Sequence, residues 1–243
     1  GRTGTRPESP WRSVLVTGVM ASASRPVMQG VCARAYRPRM ARSTPKDGAA
    51  DRCWWCGSDP VYVAYHDREW GVPVTGDRAL YEKLVLDGFQ AGLSWITILR
   101  RRAAFRRAFV RFDPAKVSRF GARDVQRLLQ DDGIIRSRAK IEAAIANARA
   151  WERIMDGGGR GAFRDLLWQH VDHRTIVNRL RRPTEIRAST PQSERMATTL
   201  RKAGFSFCGP VICYAFMQAV GMVNDHLVSC PRHAACSELA RVE

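Results

Sequence analysis

Two cysteine–histidine pairs at opposite ends of the patterned part of the chain most constrain how it can fold. Cys53 and His66 lie near the start of that part, and His226 and Cys230 lie near its end. The chain has only five histidines, so finding two of them near cysteines at both ends is informative. A His-x3-Cys step on a helix places both side chains on one face, as a tetrahedral Zn²⁺ requires of each half-site. If the four side chains meet, a metal joins the two ends of the fold.

Other cysteines and histidines leave the choice of ligands open at this point. Cys56 forms a C-x2-C pair with Cys53, and His233 and Cys236 follow Cys230 closely. Four protein ligands leave no open position for a catalytic water, so such a site is expected to be structural. The seven cysteines match no disulfide framework, and this favours a reducing compartment.

The charge of the chain points to a polyanionic partner. The formal net charge is +17, of which +7 falls in residues 1–50 and +10 in residues 51–243. A folded region that is basic on its own is typical of nucleic-acid binding. The alternative is that an arginine-rich composition reflects GC-rich codon usage. No apolar run approaches the length of a transmembrane helix, so we expect a soluble protein without a membrane partner.

Composition and periodicity divide the chain into three parts. Residues 1–50 are rich in Arg, Ser, Gly, Pro and Ala, and we expect a disordered basic extension there. That segment also resembles an organellar transit peptide, and Met40 is an alternative natural start. Residues 51–236 are expected to form a helical domain, and residues 237–243 a C-terminal tail.

The domain is predicted to be all-α and built of many short helices. Apolar residues recur at helical spacing from about residue 77, and no segment shows the period-two pattern of a strand. Asp113 followed by Pro114 predicts the start of a helix. Ser193 is the expected N-cap of another helix, which should end at Gly204.

A glycine turn between two predicted helices is a candidate DNA contact. Residues 131–140 read DDGIIRSRAK, with Gly133 in the turn and Arg136, Arg138 and Lys140 at the start of the next helix. A helix–hairpin–helix of this kind points backbone N–H groups at a DNA phosphate and gives a grip that is independent of base sequence. The simpler alternative is an ordinary αα-hairpin, since any such hairpin needs a glycine turn.

Aromatic and acidic residues in residues 64–71 and 87–95 form a second candidate site. Aromatic rings beside a carboxylate make a slot for a flat cationic ring, through stacking, cation–π attraction and hydrogen bonds. The candidates are Tyr65, Trp95 and the carboxylates Asp67, Glu69 and Asp87. Trp70 is expected to be a core residue.

Taken together, these segments closely resemble the 3-methyladenine DNA glycosylase I family, a zinc-containing group within the helix–hairpin–helix glycosylase superfamily. The motifs that carry the resemblance are DPVYVAYHDREWGVP (59–73), QAGLSWITIL (90–99), DGIIRSRAKIEAAIANARA (132–150) and GFSFCGPVICYAFMQAVGMVNDH (204–226). They occur in the family's order and span roughly residues 53–230. Several long motifs in order make the resemblance highly specific.

The resemblance implies a monofunctional enzyme that flips a cationic methylated adenine out of double-stranded alkylated DNA and hydrolyses its N-glycosidic bond. It implies that Tyr65, Trp95 and Tyr62 bind the base and that Asp87 is the catalytic carboxylate. Asp87 departs from the family, which typically has a glutamate there. The alternatives are a zinc-stabilised DNA-binding protein with weakened or lost catalysis, and a glycosylase with altered alkylpurine specificity.

The resemblance also implies the remaining sites. The family spacing selects a structural zinc site, and two loops are implied to bind DNA. A bacterial cytoplasmic protein that acts on the nucleoid as a monomer is expected. The zinc ligands would be Cys53, His66, His226 and Cys230, and the DNA contacts Gly92, Leu93, Gly133, Ile134, Ile135, Arg136 and Lys140.

Overall fold

The computed structural model describes residues 52–240, and helices account for most of them. The predictions for residues 1–50 therefore lie outside the described residues. The α-helices are α1 (Pro60–Arg68), α2 (Asp77–Gln90), α3 (Trp95–Ala108), α4 (Pro114–Val117), α5 (Ala122–Gln130), α6 (Arg138–Gly158), α7 (Ala162–Trp168), α8 (Pro191–Lys202), α9 (Pro210–Ala219) and α10 (Pro231–Leu239). Short 3-10 turns occupy Trp54–Cys56, Val110–Phe112, Gln169–Val171 and Pro183–Glu185.

Helix α2 is the central element of the fold. It packs against α3, α6, α7 and α9, and every residue from Leu84 to Phe89 is buried. A helix that is buried on all sides in its last turns has no polar face there. Asp87 is the one acidic residue in that stretch, so its carboxylate is surrounded by protein.

The all-α prediction is confirmed, with one small addition. Strand β1 (Ile176–Val177) pairs in parallel with β2 (Val223–Asn224), with Ile176 opposite Val223. Two-residue strands are too short to produce a period-two pattern, and for that reason no pattern in the chain indicated them. Within residues 52–240, no helix is both long enough and apolar enough to cross a bilayer.

One predicted helix start was wrong, and one was confirmed. Thr190, not Ser193, is the N-cap of α8: Ser193 N donates to Thr190 Oγ1 at 3.3 Å, and Thr190 N donates to Ser193 Oγ at 3.0 Å. Ser193 is thus the third residue of a capping box. Helix α4 begins at Pro114 with Asp113 as its N-cap, as predicted.

The turn after α9 has no room for a side chain at Gly221. Its φ is +73°, and a Cβ there would lie 2.4 Å from Pro73 N. Gly159, which follows α6, has a similar φ of +72°, but a Cβ there would have no neighbour within 4 Å. We expect Gly159→Ala to lower the free energy of unfolding by roughly 1–3 kcal/mol through backbone strain alone, because its ψ of −161° gives a conformation almost confined to glycine. Gly221→Ala should lower it by roughly 1–3 kcal/mol more, because a backbone clash is added.

Urea unfolding of the two variants beside the unsubstituted protein measures both values. Equal losses of stability would show that the close approach of Gly221 to Pro73 does not constrain the fold.

Candidate active site and metal centre

Four buried Cys and His side chains converge at the place where the two ends of the domain meet. The ligand atoms of Cys53, His66, His226 and Cys230 all lie within 4.8 Å of one another. Cys53 Sγ lies 3.5 Å from His226 Nδ1, and Cys230 Sγ lies 3.5 Å from His66 Nε2 and 3.7 Å from His226 Nδ1. Ordinary Zn–S and Zn–N bond lengths at tetrahedral angles give an S···N separation of about 3.6 Å. The donor set and its spacing therefore fit a tetrahedral metal ion.

The two histidines are oriented by partners on their other ring nitrogens. His66 Nδ1 lies 2.8 Å from an Asp67 carboxylate oxygen, and His226 Nε2 lies 3.1 Å from the Trp70 carbonyl oxygen. If each of these nitrogens donates its proton, His66 Nε2 and His226 Nδ1 keep their lone pairs toward the cluster. Such outer hydrogen bonds fix the tautomer and the ring angle of a metal-binding histidine. Asp67 is in turn held by Arg52 Nε at 3.0 Å.

The expectation that His226 and Cys230 share one face of a helix was wrong. Both lie in the connection between β2 and α10, and Cys230 is the N-cap of α10. A turn in which Cys230 N donates to Leu227 O at 2.8 Å brings the two side chains to the same point. A thiolate is favoured there: hydrogen bonding from Cys53, followed by that from the two histidines, lowers the pKa of Cys230.

The three alternative ligands have other partners. Cys56 Sγ donates to Cys53 O at 3.1 Å, and His233 Nε2 lies 2.7 Å from Asn178 O. Cys236 Sγ accepts from Arg232 Nη2 at 3.4 Å. None of the three belongs to the group of converging ligand atoms in the described part of the chain.

A cavity of about 220 Å³ lies beside the Cys and His cluster. Its walls come from the 3-10 turn at Trp54–Cys56 and from α1, α2, α3 and α9. Tyr65 lines this cavity, while its neighbour His66 faces the Cys and His cluster. The lining residues are Trp54, Trp55, Tyr62, Tyr65, Trp70, Lys83, Asp87, Gln90, Trp95, Ile186, Ala215, Gln218 and Ala219.

The Cys and His cluster supports the aromatic wall of this cavity. The Trp55 ring meets the His66 ring edge-on at a centroid distance of 5.2 Å. The Trp70 ring meets the His226 ring in the same way at 4.6 Å. Trp70, expected to be a core residue, is buried but also lines the cavity. The Cys and His cluster thus packs against two of the rings that shape the pocket.

Asp87 presents an unsatisfied carboxylate oxygen in this pocket. The side chain is only 1% exposed, and its Oδ1 accepts from the Lys83 ammonium. Oδ2 is buried and has no hydrogen-bond partner, and the same holds for Trp95 Nε1. Burial raises the pKa of Asp87 above its usual value, in spite of the opposing effect of Lys83. Buried polar atoms without partners are rare, so Asp87 Oδ2 and Trp95 Nε1 are candidates for hydrogen bonds to a ligand.

The aromatic residues predicted to bind the base lie together, but Tyr65 and Trp95 are not parallel rings with space for a base between them. The Tyr65 and Trp95 rings touch each other, with centroids 5.4 Å apart and planes tilted by 46°. A base in this arrangement must stack against an outer face. Tyr62 also lines the cavity, and its ring lies 5.0 Å from that of Trp55. Burial raises the pKa of Tyr62 to about 12, so its phenol stays neutral.

The sequence did not single out Lys83, Trp55, Gln90 or Gln218 as pocket residues. Lys83 was detectable in principle, because it precedes Asp87 by four residues and α2 places both on one face. The glutamines and Trp55 reach the cavity only through the packing of α2, α9 and the first turn. No local pattern marks them.

The predicted hairpin is present between α5 and α6. Gly133 N donates to Asp131 Oδ1 at 2.9 Å, and the Ile134 side chain is a core residue with 2% exposure. Ile135 is half-buried, and Arg136 is exposed. No backbone acceptor within residues 52–240 binds the N–H groups of Ile135 and Arg136, and Ser137 does not cap α6 with its side chain. The start of α6 is therefore open to an anion.

Lys140, a predicted phosphate contact, has two hydrogen-bond partners within the protein. Its ammonium donates to Phe89 O at 2.8 Å and to Ala91 O at 2.6 Å. These carbonyl groups end α2, immediately before Gly92 and Leu93. A cation at the C-terminal end of a helix satisfies carbonyl groups that have no partner in the helix. Lys140 therefore holds in place the loop that exposes Leu93, whose exposed fraction is 41%.

Comparison with known proteins gives one consistent result. The family model described as methyladenine glycosylase matches residues 55–233. DNA-3-methyladenine glycosylase 1 of Escherichia coli (strain K12) is 49% identical over 180 residues, which cover 74% of this chain and 95% of that protein.

Solved structures agree with this result. A crystal structure of 3-methyladenine DNA glycosylase I superposes with a TM-score of 0.73 at 48% identity, covering 74% of this chain and 98% of the other. A tyrosine-to-phenylalanine variant of 3-methyladenine DNA glycosylase I in complex with 3-methyladenine superposes with a TM-score of 0.71 at 33% identity, covering 74% and 96%. The chain belongs to the methyladenine glycosylase family.

Proposed function

We propose that this chain is a monofunctional DNA glycosylase that flips 3-methyladenine out of alkylated duplex DNA and releases it by hydrolysis. The observation that carries the proposal is the buried, unpartnered carboxylate oxygen of Asp87 in an aromatic cavity. The relatives are named 3-methyladenine DNA glycosylases, and one solved relative holds 3-methyladenine. The cavity offers that base both stacking surfaces and a hydrogen-bond acceptor.

The chemistry of the substrate explains why these residues suffice. Methylation at N3 makes adenine in DNA a cation, so the base leaves as a neutral molecule without protonation by a general acid. The enzyme needs to hold the cationic base, position the sugar and admit water to an oxocarbenium-like centre. Asp87 supplies negative charge and an acceptor atom, and the rings of Tyr62, Tyr65 and Trp95 supply stacking and cation–π attraction.

We propose that the Cys and His cluster holds a structural zinc ion through Cys53, His66, His226 and Cys230. Zinc is favoured because two thiolates and two imidazoles at tetrahedral spacing are the donors it prefers. The ion would contribute stability by tying the start of the domain to its end. All four positions are taken by protein atoms, and therefore the centre would not activate water.

DNA is proposed to bind as a duplex to a single copy of the chain. The open start of α6 and the exposed Arg136 would bind phosphates, while Leu93 would enter the space that the flipped base leaves. Lys140 would act by positioning the Leu93 loop. One pocket and one hairpin need only one protein copy for each lesion.

Replacing the pocket carboxylate should remove catalysis. We expect Asp87→Asn to lower kcat/KM for release of 3-methyladenine from methylated DNA by roughly 100-fold, because the cationic base loses its negative partner. Mass spectrometry of the released bases measures this, and Asp113→Asn, at the N-cap of α4, serves as the control for loss of one carboxylate. Unchanged release by Asp87→Asn would remove Asp87 from the proposed role.

The same assay separates the rival functions. Binding of methylated DNA without release of any base by the unsubstituted protein would indicate a DNA-binding protein that has lost catalysis. Release of other alkylated purines in place of 3-methyladenine would indicate an altered specificity.

Metal content should depend on Cys53 and not on Cys56. We expect one zinc per chain in the unsubstituted protein and in Cys56→Ser, and loss of the zinc in Cys53→Ser. Elemental analysis of the purified proteins gives the stoichiometry, and thermal unfolding should show a lower Tm only for Cys53→Ser. Zinc retained by Cys53→Ser and lost by Cys56→Ser would reverse the ligand assignment.

Arg136 and Lys140 should respond differently to salt. Removing one phosphate contact lowers the slope of log K against log salt by about 1. We expect this change for Arg136→Ala in binding to undamaged duplex DNA. Lys140→Met should leave the slope closer to the original value while reducing base release, since its ammonium is bound to two carbonyl oxygens. A full unit of slope lost in Lys140→Met would restore its predicted role as a phosphate contact.

A further inference from the structure

The pocket contains a cation of its own. Lys83 Nζ is ion-paired with Asp87 Oδ1 and lies 4.0 Å from the centroid of the Trp95 ring, over its face. Its side chain is only 17% exposed. Carboxylate and ring face together make a site for a positive charge. Those two groups are also the ones that the proposed function assigns to the base.

We propose that Lys83 is a displaceable resident cation, a competitor within the protein that any base must move before it can occupy the Asp87–Trp95 site. This inference rests on the proposed function. The ammonium stands over the ring on which the base would stack. A base and the ammonium cannot share that face.

Displacement exchanges one positive partner of Asp87 for another only when the base is cationic. When Lys83 leaves, Asp87 is a buried carboxylate without its counter-ion, and an uncompensated buried charge is strongly unfavourable. A cationic base replaces the lost charge, so one ion pair is exchanged for another, whereas a neutral base of the same shape leaves Asp87 unpaired. Both bases displace Lys83 at the same cost, so Lys83 lowers the affinity for each alike, and the preference for the cation comes from Asp87.

The surroundings of Lys83 make such an exchange feasible. Lys83 also lines a second cavity of about 170 Å³, together with Glu69 and Glu82. Each of these glutamates is already paired with an arginine, so this second position is weaker than the one beside Asp87. Lys83 thus has a preferred position beside Asp87 and a second, weaker position nearby, beside Glu69 and Glu82. Burial lowers the pKa of Lys83 and raises the pKa of Asp87, because it disfavours the charged form of each side chain. The cost of burying both charges offsets much of their attraction, so the ion pair is not strongly bound.

The test compares two ligands that differ in charge but not in shape. One is 3,9-dimethyladenine, which is a fixed cation, and the other is 3,9-dimethyl-3-deazaadenine, its neutral isostere under mildly alkaline conditions. Isothermal titration calorimetry of the full chain gives Kd for each. We expect the unsubstituted protein and Lys83→Met both to prefer the cation, and Lys83→Met to lower Kd for both ligands on the order of tenfold, because neither ligand then has to displace an ammonium from the Trp95 ring.

Three further variants make the result decisive. Lys83→Gln removes the charge but can still donate a hydrogen bond to Asp87, and it should behave like Lys83→Met even if the latter folds poorly. Lys83→Arg keeps the competing charge and should leave both Kd values close to those of the unsubstituted protein. Lys116→Met removes one exposed charge on α4 outside the pocket lining and should change neither Kd.

The proposal is overturned if neither neutral variant binds the two ligands more tightly than the unsubstituted protein does. It is also overturned if Lys83→Arg tightens binding as much as Lys83→Met does, since that would reflect shape and not charge. Base release from methylated DNA by the unsubstituted protein is measured in parallel. Absence of release would contradict the proposed function, whereas the ligand comparison decides the role of Lys83 in either case.

Discussion

The convergence of Cys53, His66, His226 and Cys230 is the constraint on which the rest of the structure depends. It ties the turn before α1 to the segment between β2 and α10, which are far apart in the chain. Its two imidazole rings also support Trp55 and Trp70 in the pocket wall. Stability and pocket shape are therefore coupled: the side chains that close the fold also set the positions of the rings available to a base.

The pocket is built around charge that is difficult to bury. Asp87 sits in a stretch of α2 where every residue is buried, and desolvation raises the pKa of its carboxyl. Lys83 satisfies one carboxylate oxygen and leaves the other without a partner. An arrangement of this kind contributes little to folding. It is suited to exchanging one positive partner for another, which is what recognition of a cationic base demands.

Several site residues could be predicted because their signals are local. The helix–hairpin–helix turn, the acid at Asp87 and the aromatic side chains follow from short segments whose residue types already carry the chemistry. Lys140 shows the limit of such reasoning. Its basic side chain near a predicted DNA-binding turn indicated a phosphate contact, but it did not indicate the hydrogen bonds to the carbonyl groups of Phe89 and Ala91. Those acceptors lie about fifty residues away in the chain, so no local pattern indicated them.

The sequence by itself determined the helical class, the family and the four candidate metal ligands, because helical periodicity and motif order are properties of the linear chain. The tertiary structure decided which cysteines and histidines meet, since ligation depends on distances between atoms and the chain offered seven such candidates around the two ends of the domain. It also decided that Lys83 lies on the Trp95 ring beside Asp87. The packing of α2 against α3 creates that contact, and the spacing of residues along the chain does not predict how two helices pack.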